Sequence, residues 1–137
     1  MQSMIFALAA YLAGHWSCTS GPQTYTTDWN VVSGTQWLRG TSKSSAHGVN
    51  SQSEDMQTYD AAHHRWRIVD MEPSGSMSVL EGGSTDIGHI ATASVYPDAS
   101  QHVRYDKISN NRYTLTFDFV IKGKSRHWVD TCSREKY

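Results

Sequence analysis

The sequence predicts an all-β protein, a closed antiparallel up-and-down β-barrel of about 8–10 strands with one short N-terminal helix. Three observations support this prediction. About ten short segments of strand-like composition follow one another at a spacing of roughly 10–12 residues, with turn-forming residues between them. A single apolar stretch with helical spacing precedes them. The first and last segments each contain one of the two cysteines, as expected where a sheet closes on itself.

The apolar N-terminal stretch is predicted to form a helix over residues 3–13 that caps one end of the barrel. Apolar residues recur there at helical spacing, namely Ile5, Leu8, Ala9 and Leu12. The alternative is a remnant of a secretory signal, because the stretch is apolar, although no basic residue precedes it. The stretch is too short to cross a bilayer, so no membrane span is expected.

The first strand is predicted over residues 15–20, and it opens with the motif Gly14-x-Trp16. Gly14 allows a sharp turn after the helix, and Trp16 is expected to plug the barrel floor. Cys18 and Cys132 each share a strand face with a nearby tryptophan, so we predict a disulfide between the first and last strands. The alternative is a pair of buried free thiols. A disulfide persists only in an oxidising compartment, which predicts a secreted or periplasmic protein.

The remaining strands are predicted from alternating patterns and intervening turns. The segments are 25–32, 35–41, 54–60, 65–72, 76–81, 88–96, 101–107, 112–122 and 125–133. The clearest is 112–122, in which aromatic and aliphatic residues alternate with mostly polar ones. Residues 42–52 are polar, rich in Ser and without periodicity, so we expect a mobile loop there, with His47 solvated.

A ligand-binding interior is predicted from the aromatic residues of these strands. They are more numerous than a core of this size needs: Trp29, Trp37, Tyr59, Trp66, Tyr113, Phe117, Phe119 and Trp128. We expect them to line a cavity for a small apolar or aromatic molecule. The alternative is an aromatic core packed without a cavity.

An inward carboxylate is the second candidate site feature. Asp70 shares a strand face with Trp66, so the two side chains are expected to point the same way. Asp70, Glu72 or Glu81 would then act as a base with His89 or Arg104 as partner, if the barrel is an enzyme. Under the alternative interpretation, these carboxylates lie outside the barrel in structural ion pairs. Whether the protein is an enzyme therefore stays open.

Length and charge exclude several classes of function. A chain of 137 residues predicts a single domain, 1–137. The net charge is −1 and no cluster of Lys and Arg occurs, so a nucleic-acid partner is not expected. The seven histidines show no metal-ligand spacing, and we expect neither a metal nor another cofactor.

The motif Gly14-x-Trp16 after an apolar helix, together with the hairpin from Tyr59-Asp60 to Trp66, resembles the lipocalin-like and fatty-acid-binding-protein-like barrels, the calycin group. The likeness is closest to bacterial lipocalin-like domains of the DUF1579 kind and looser to nitrobindin. It implies a closed barrel of antiparallel strands around a ligand cavity. Nitrobindins hold haem through a histidine near the C-terminal end. Here His127 lies in that region without a His-His-Leu run, so haem is not predicted.

The leading hypothesis is therefore an exported barrel that binds a small apolar or aromatic molecule. One alternative is a cofactor-free isomerase, cyclase or lyase that uses an inward carboxylate. Another is a structural protein that self-associates through edge strands, which would include a homodimer.

Overall fold

A computed structural model describes residues 3–46 and 49–134 of the chain. One helix and ten strands lie within these residues. They are α1 (Met4–Leu12), β1 (Gly14–Ser20), β2 (Gln23–Val31), β3 (Leu38–Ala46), β4 (Val49–Asp60), β5 (Arg65–Met71), β6 (Met77–Gly82), β7 (His89–Tyr96), β8 (Gln101–Ser109), β9 (Arg112–Ile121) and β10 (Lys124–Arg134).

The ten strands form a closed antiparallel barrel, which confirms the predicted fold class. Each strand pairs with its neighbours along the chain, and β1 pairs with β10 to close the sheet. This topology is consistent with a calycin-like fold. Since every one of these strands is paired on both sides, the described barrel has no free edge, and the self-association through edge strands that we considered loses its structural basis.

The predicted disulfide is confirmed. Cys18 and Cys132 lie directly opposite each other on β1 and β10, with their Cα atoms 4.0 Å apart and their sulfurs bonded. Both cysteines are buried, and both side chains face the barrel interior. The alternative of two free thiols is therefore wrong. Among the ten described strands, β1 and β10 are the one neighbouring pair that is not joined by a local hairpin, and the covalent bond links them.

Helix α1 closes one end of the barrel, which we call the floor; the opposite end is the mouth. The hydroxyl of Ser3 caps the helix by accepting a hydrogen bond from the Phe6 amide at 3.1 Å. Ile5, Leu8 and Leu12 are buried against the barrel. The helix thus runs from Met4 to Leu12, one residue shorter at each end than the predicted range of 3–13. Within the described part of the chain, no helix is both long and apolar enough to cross a membrane.

The Gly14-x-Trp16 motif joins the helix to the floor of the barrel. Trp16 is fully buried, and its indole nitrogen donates to the Leu12 carbonyl at 2.8 Å. The guanidinium of Arg134 lies 4.3 Å from the Trp16 ring and also donates to the carbonyls of Tyr11 and Ala13, which the helix end leaves without internal partners. Gly14 has a φ of +122°, which side chains rarely tolerate.

The segment 42–52, predicted to be a loop, is instead strand on both sides of residues 47–48. Its residues continue β3 and begin β4, and all of β3 pairs with residues 49–57 of β4. The prediction was wrong because both faces are polar, so the period-2 contrast that marks a strand is missing. The inward residues are small hydroxyls that bond one another: Ser44 Oγ to Ser51 Oγ at 2.7 Å and Thr27 Oγ1 to Ser42 Oγ at 2.8 Å. His47 lies outside the described residues.

Candidate functional site

The barrel encloses a cavity of about 550 Å³. It extends from Leu8 and Leu12 of the helix at the floor to Phe117 and Trp128 near the mouth. A volume of this size falls in the range of roughly 300–1,000 Å³ that is typical of small-molecule sites. The alternative of an aromatic core without a cavity is therefore wrong, although the floor itself is densely packed.

Small side chains leave this space open. Thr27, Ser42 and Ser53 face the interior where larger residues would fill it. Gly40 on β3 lies opposite Trp29 on β2, and a Cβ atom at Gly40 would lie only 2.5 Å from the Trp29 ring. The indole of Trp29 can lie against the backbone of residue 40 because that residue has no side chain.

Two carboxylates face each other across the β4–β5 ladder. Asp55 and Asp70 are direct partners in the register, and both line the cavity. Glu72 lies two residues beyond Asp70 toward the mouth, also lines the cavity, and is close enough for the charge of Asp70 to raise its pKa. Three acidic side chains thus form a continuous group on one side of the cavity, which we call the carboxylate wall (Asp55, Asp70 and Glu72).

Asp55 and Glu72 hold protons more tightly than ordinary carboxyl groups do. Burial raises the pKa of Asp55 well above its usual value, and the negative charges of Asp70 and Glu72 raise it further. Burial and the charge of Asp70 also raise the pKa of Glu72. Since the folded state then binds a proton more tightly than the unfolded chain, stability falls as the pH rises from the usual pKa of Asp through the raised one.

A fourth carboxylate, Asp130, faces the cavity from β10. It is only 6% exposed, and the Tyr25 hydroxyl donates to its Oδ2 at 2.6 Å. Burial raises the pKa of Tyr25, and Asp130 raises it further, so this phenol stays protonated. The other oxygen, Asp130 Oδ1, is buried without a hydrogen-bond partner among the described residues. The buried hydroxyl of Tyr105, also on the cavity wall, is likewise without a partner there.

Four of the eight aromatic residues predicted to bind ligand line the cavity: Trp29, Tyr113, Phe117 and Trp128. The indole nitrogen of Trp29 donates to the Tyr113 hydroxyl at 3.1 Å, deep in the barrel. Near the mouth, the rings of Phe117 and Trp128 lie 5.5 Å apart. The cavity therefore has aromatic surface at two depths.

The other four predicted aromatic residues do not line the cavity. Trp37 lies half-buried in the floor loop between β2 and β3. Tyr59 and Trp66 pack against each other at the floor, with ring centroids 5.2 Å apart, and Trp66 donates to the Ser84 carbonyl. Phe119 packs edge-on against Trp128 at 4.5 Å. Tyr59, Trp66 and Phe119 therefore pack against other aromatic rings without forming the cavity surface.

The residues suggested for catalysis are divided between the two faces of the sheet. Asp70 and Glu72 line the cavity. His89 and Arg104 lie on the outer surface, where each binds Asp106 at 2.7 Å. The register puts His89 opposite Asp106, so alternation directs both away from the interior. The structure therefore does not assemble the acid–base pairs that the sequence suggested. Glu81 likewise pairs with arginines, Arg65 and Arg67.

Sequence reasoning missed Asp55, Asp130 and Tyr105. Asp130 could have been found, because it alternates with Cys132 and Trp128 on one strand and an inward disulfide fixes the inward face of that strand. Asp55 gave no such signal, since its strand carries polar residues on both faces. Within residues 3–46 and 49–134, no three His, Cys, Asp or Glu side chains are grouped to hold a metal ion.

Comparison of the sequence with protein-family models gave no match, and a search of curated proteins gave none either.

Proposed function

We propose that the protein binds a small molecule with an apolar body inside its barrel. The observation that supports this most strongly is the cavity of about 550 Å³, bounded by the helix at the floor and by aromatic rings near the mouth. Helix α1 covers the floor, so a ligand would enter from the mouth. The likeness to lipocalin-like barrels agrees with this proposal, because the implied site is the same interior space.

The walls of the cavity suit a ligand that has an apolar part and a polar part. Leu12, Leu80 and Ile90 give the cavity apolar surface, and these residues would contact the body of the ligand. The cavity walls also carry serine, threonine and carboxylate groups, which would contact polar substituents. Sites of this kind gain most of their affinity from apolar burial, while a few polar groups fix the orientation.

Titration with N-phenyl-1-naphthylamine, a neutral dye that fluoresces in apolar surroundings, tests the proposal. We expect saturable 1:1 binding with a Kd on the order of 10–100 µM. Ser53→Phe should weaken binding at least about tenfold, because Ser53 faces the cavity and a phenyl ring would occupy it. Glu54→Phe is the matched control, since the next residue on β4 points to the outer face.

Two results would contradict the proposal. One is the absence of saturable binding by a folded wild-type protein. The other is equal binding by the two phenylalanine variants, because a dye on the outer surface would not distinguish them.

We also propose that the protein is exported. The disulfide between Cys18 and Cys132 supports this, because such bonds persist in oxidising compartments and are rare where thiols are kept reduced.

A cofactor-free enzyme remains the second candidate, and the Asp55–Asp70 pair is the observation that favours it. Two adjacent carboxyl groups can divide the roles of acid and base, and burial raises the pKa of Asp55 so that its protonated form is favoured. An enzyme would convert its ligand, whereas a binding protein would return it unchanged. Chromatography of a bound ligand after release separates the two.

A further inference from the structure

The charges around the cavity are unbalanced. Among the described residues that line it, four carry a carboxyl group: Asp55, Asp70, Glu72 and Asp130. Lys43 is the one lysine or arginine among them, and it is exposed at the mouth. The interior of the barrel therefore presents acidic groups to a ligand without a buried cation to neutralise them.

We propose that the ligand is a protonated organic amine, whose ammonium group binds the carboxylate wall while its apolar body lies deeper in the barrel. This inference rests on the proposed binding function and specifies its ligand class. An ammonium group supplies up to three N–H donors, and charged hydrogen bonds of this kind are stronger than neutral ones.

Repulsion within the carboxylate wall favours a cation. Asp55 and Asp70 oppose each other on neighbouring strands, and Glu72 adjoins Asp70, so ionising all three brings like charges together. A bound ammonium replaces this repulsion by attraction. A purely structural role explains the arrangement less well, because apolar residues or an ion pair would fill the same positions without the cost of repulsion.

Two buried polar atoms point independently to a ligand in the same cavity. Asp130 Oδ1 lacks a hydrogen-bond donor, and Tyr105 Oη lacks a partner, although both residues are more than nine-tenths buried and both line the cavity. Buried polar atoms are nearly always paired in native proteins. An amine ligand with a second polar group supplies the missing partners.

Asp130 and the carboxylate wall line the same cavity. The Tyr25 hydroxyl donates to Asp130, and the negative charges of Asp130 and Asp55 both raise the pKa values of Tyr25 and Tyr113. A positive charge in the cavity is therefore attracted by both acidic groups.

The aromatic surface beside the wall suits an organic cation better than a bare metal ion. Trp29, Gly40, Asp55 and Asp70 form one row across β2, β3, β4 and β5, and the indole covers Gly40. Aromatic faces attract ammonium groups, and they also pack against an apolar body. A cavity of about 550 Å³ is moreover far larger than a single metal ion needs.

Three probes with one ring system test the inference by displacing N-phenyl-1-naphthylamine: 1-naphthylmethylamine, 1-naphthalenemethanol and 1-naphthoate. At pH 8 we expect the amine to bind about 10- to 100-fold more tightly than the alcohol, and the carboxylate to bind most weakly. Asp55→Asn and Asp70→Asn should each reduce amine affinity toward that of the alcohol without changing alcohol affinity. Glu54→Gln is the matched control, because it removes an acidic group next to Asp55 from the outer face.

The outcomes separate this inference from the proposed function. Equal affinity for amine and alcohol, with normal dye binding, would overturn the inference and leave the binding function intact. Failure of the dye to bind would remove both. Unchanged amine affinity in both aspartate variants, or binding of Ca²⁺ that these variants abolish and that excludes the amine, would also overturn the inference. Thermal unfolding of each variant checks that a loss of affinity is not caused by a loss of folded protein.

Discussion

Replacing both cysteines, in the variant Cys18→Ala/Cys132→Ala, is expected to lower the free energy of unfolding by about 4–5 kcal/mol. The bond links residues 114 positions apart, so it removes a large part of the conformational freedom of the unfolded chain. It also holds together β1 and β10, the pair that closes the barrel. Urea unfolding followed by circular dichroism measures the change.

Wild-type protein treated with a reducing agent is the control for that variant. It should lose stability by a similar amount, because both treatments remove the same covalent bond. A loss below about 1 kcal/mol in the double variant would show that strand pairing closes the barrel without help from the disulfide.

Trp16→Ala is expected to cost about 3–5 kcal/mol of stability. Trp16 is fully buried at the floor, and its ring packs against Tyr11 and Tyr113 with ring centroids 5.5 and 4.7 Å away. The guanidinium of Arg134 also stacks over the Trp16 ring. Loss of the indole leaves a void between the helix and the barrel. The melting temperature and the urea midpoint should both fall.

Trp128→Ala is the comparison for this effect. Trp128 has the same side chain but is 41% exposed near the mouth, so its removal should cost only about 1–2 kcal/mol. If the two variants lost equal stability, the floor would not be the most tightly packed part of the barrel.

Most of the fold could be predicted because its signals are local. Turn residues divide the strands, and Tyr113 and Leu115 show the alternation of a strand with one inward face. The two cysteines supplied the single long-range constraint, and it was the pairing that closes the sheet. The segment 42–52 was missed because serines facing a polar cavity look like the serines of a loop.

The site was harder to predict because it depends on register across strands. Asp55 and Asp70 are 15 positions apart, and their contact follows from the pairing of β4 with β5. Asp70 was recognised from its alternation with Trp66. The wrong partners were assigned to it because His89 and Arg104 are one residue out of phase with the inward positions, which Ile90 and Tyr105 occupy.

The pKa of Asp55, measured by ¹³C NMR with the Asp55→Asn variant identifying its signal, tests most directly whether the interior carboxylates are a cation site. In the free protein we expect a value well above the usual one of about 3.9, because burial, Asp70 and Glu72 all disfavour the charged form. Saturating 1-naphthylmethylamine should lower it, since an ammonium group stabilises the carboxylate, while 1-naphthalenemethanol should not. A pKa that is unchanged by the bound amine would contradict the account.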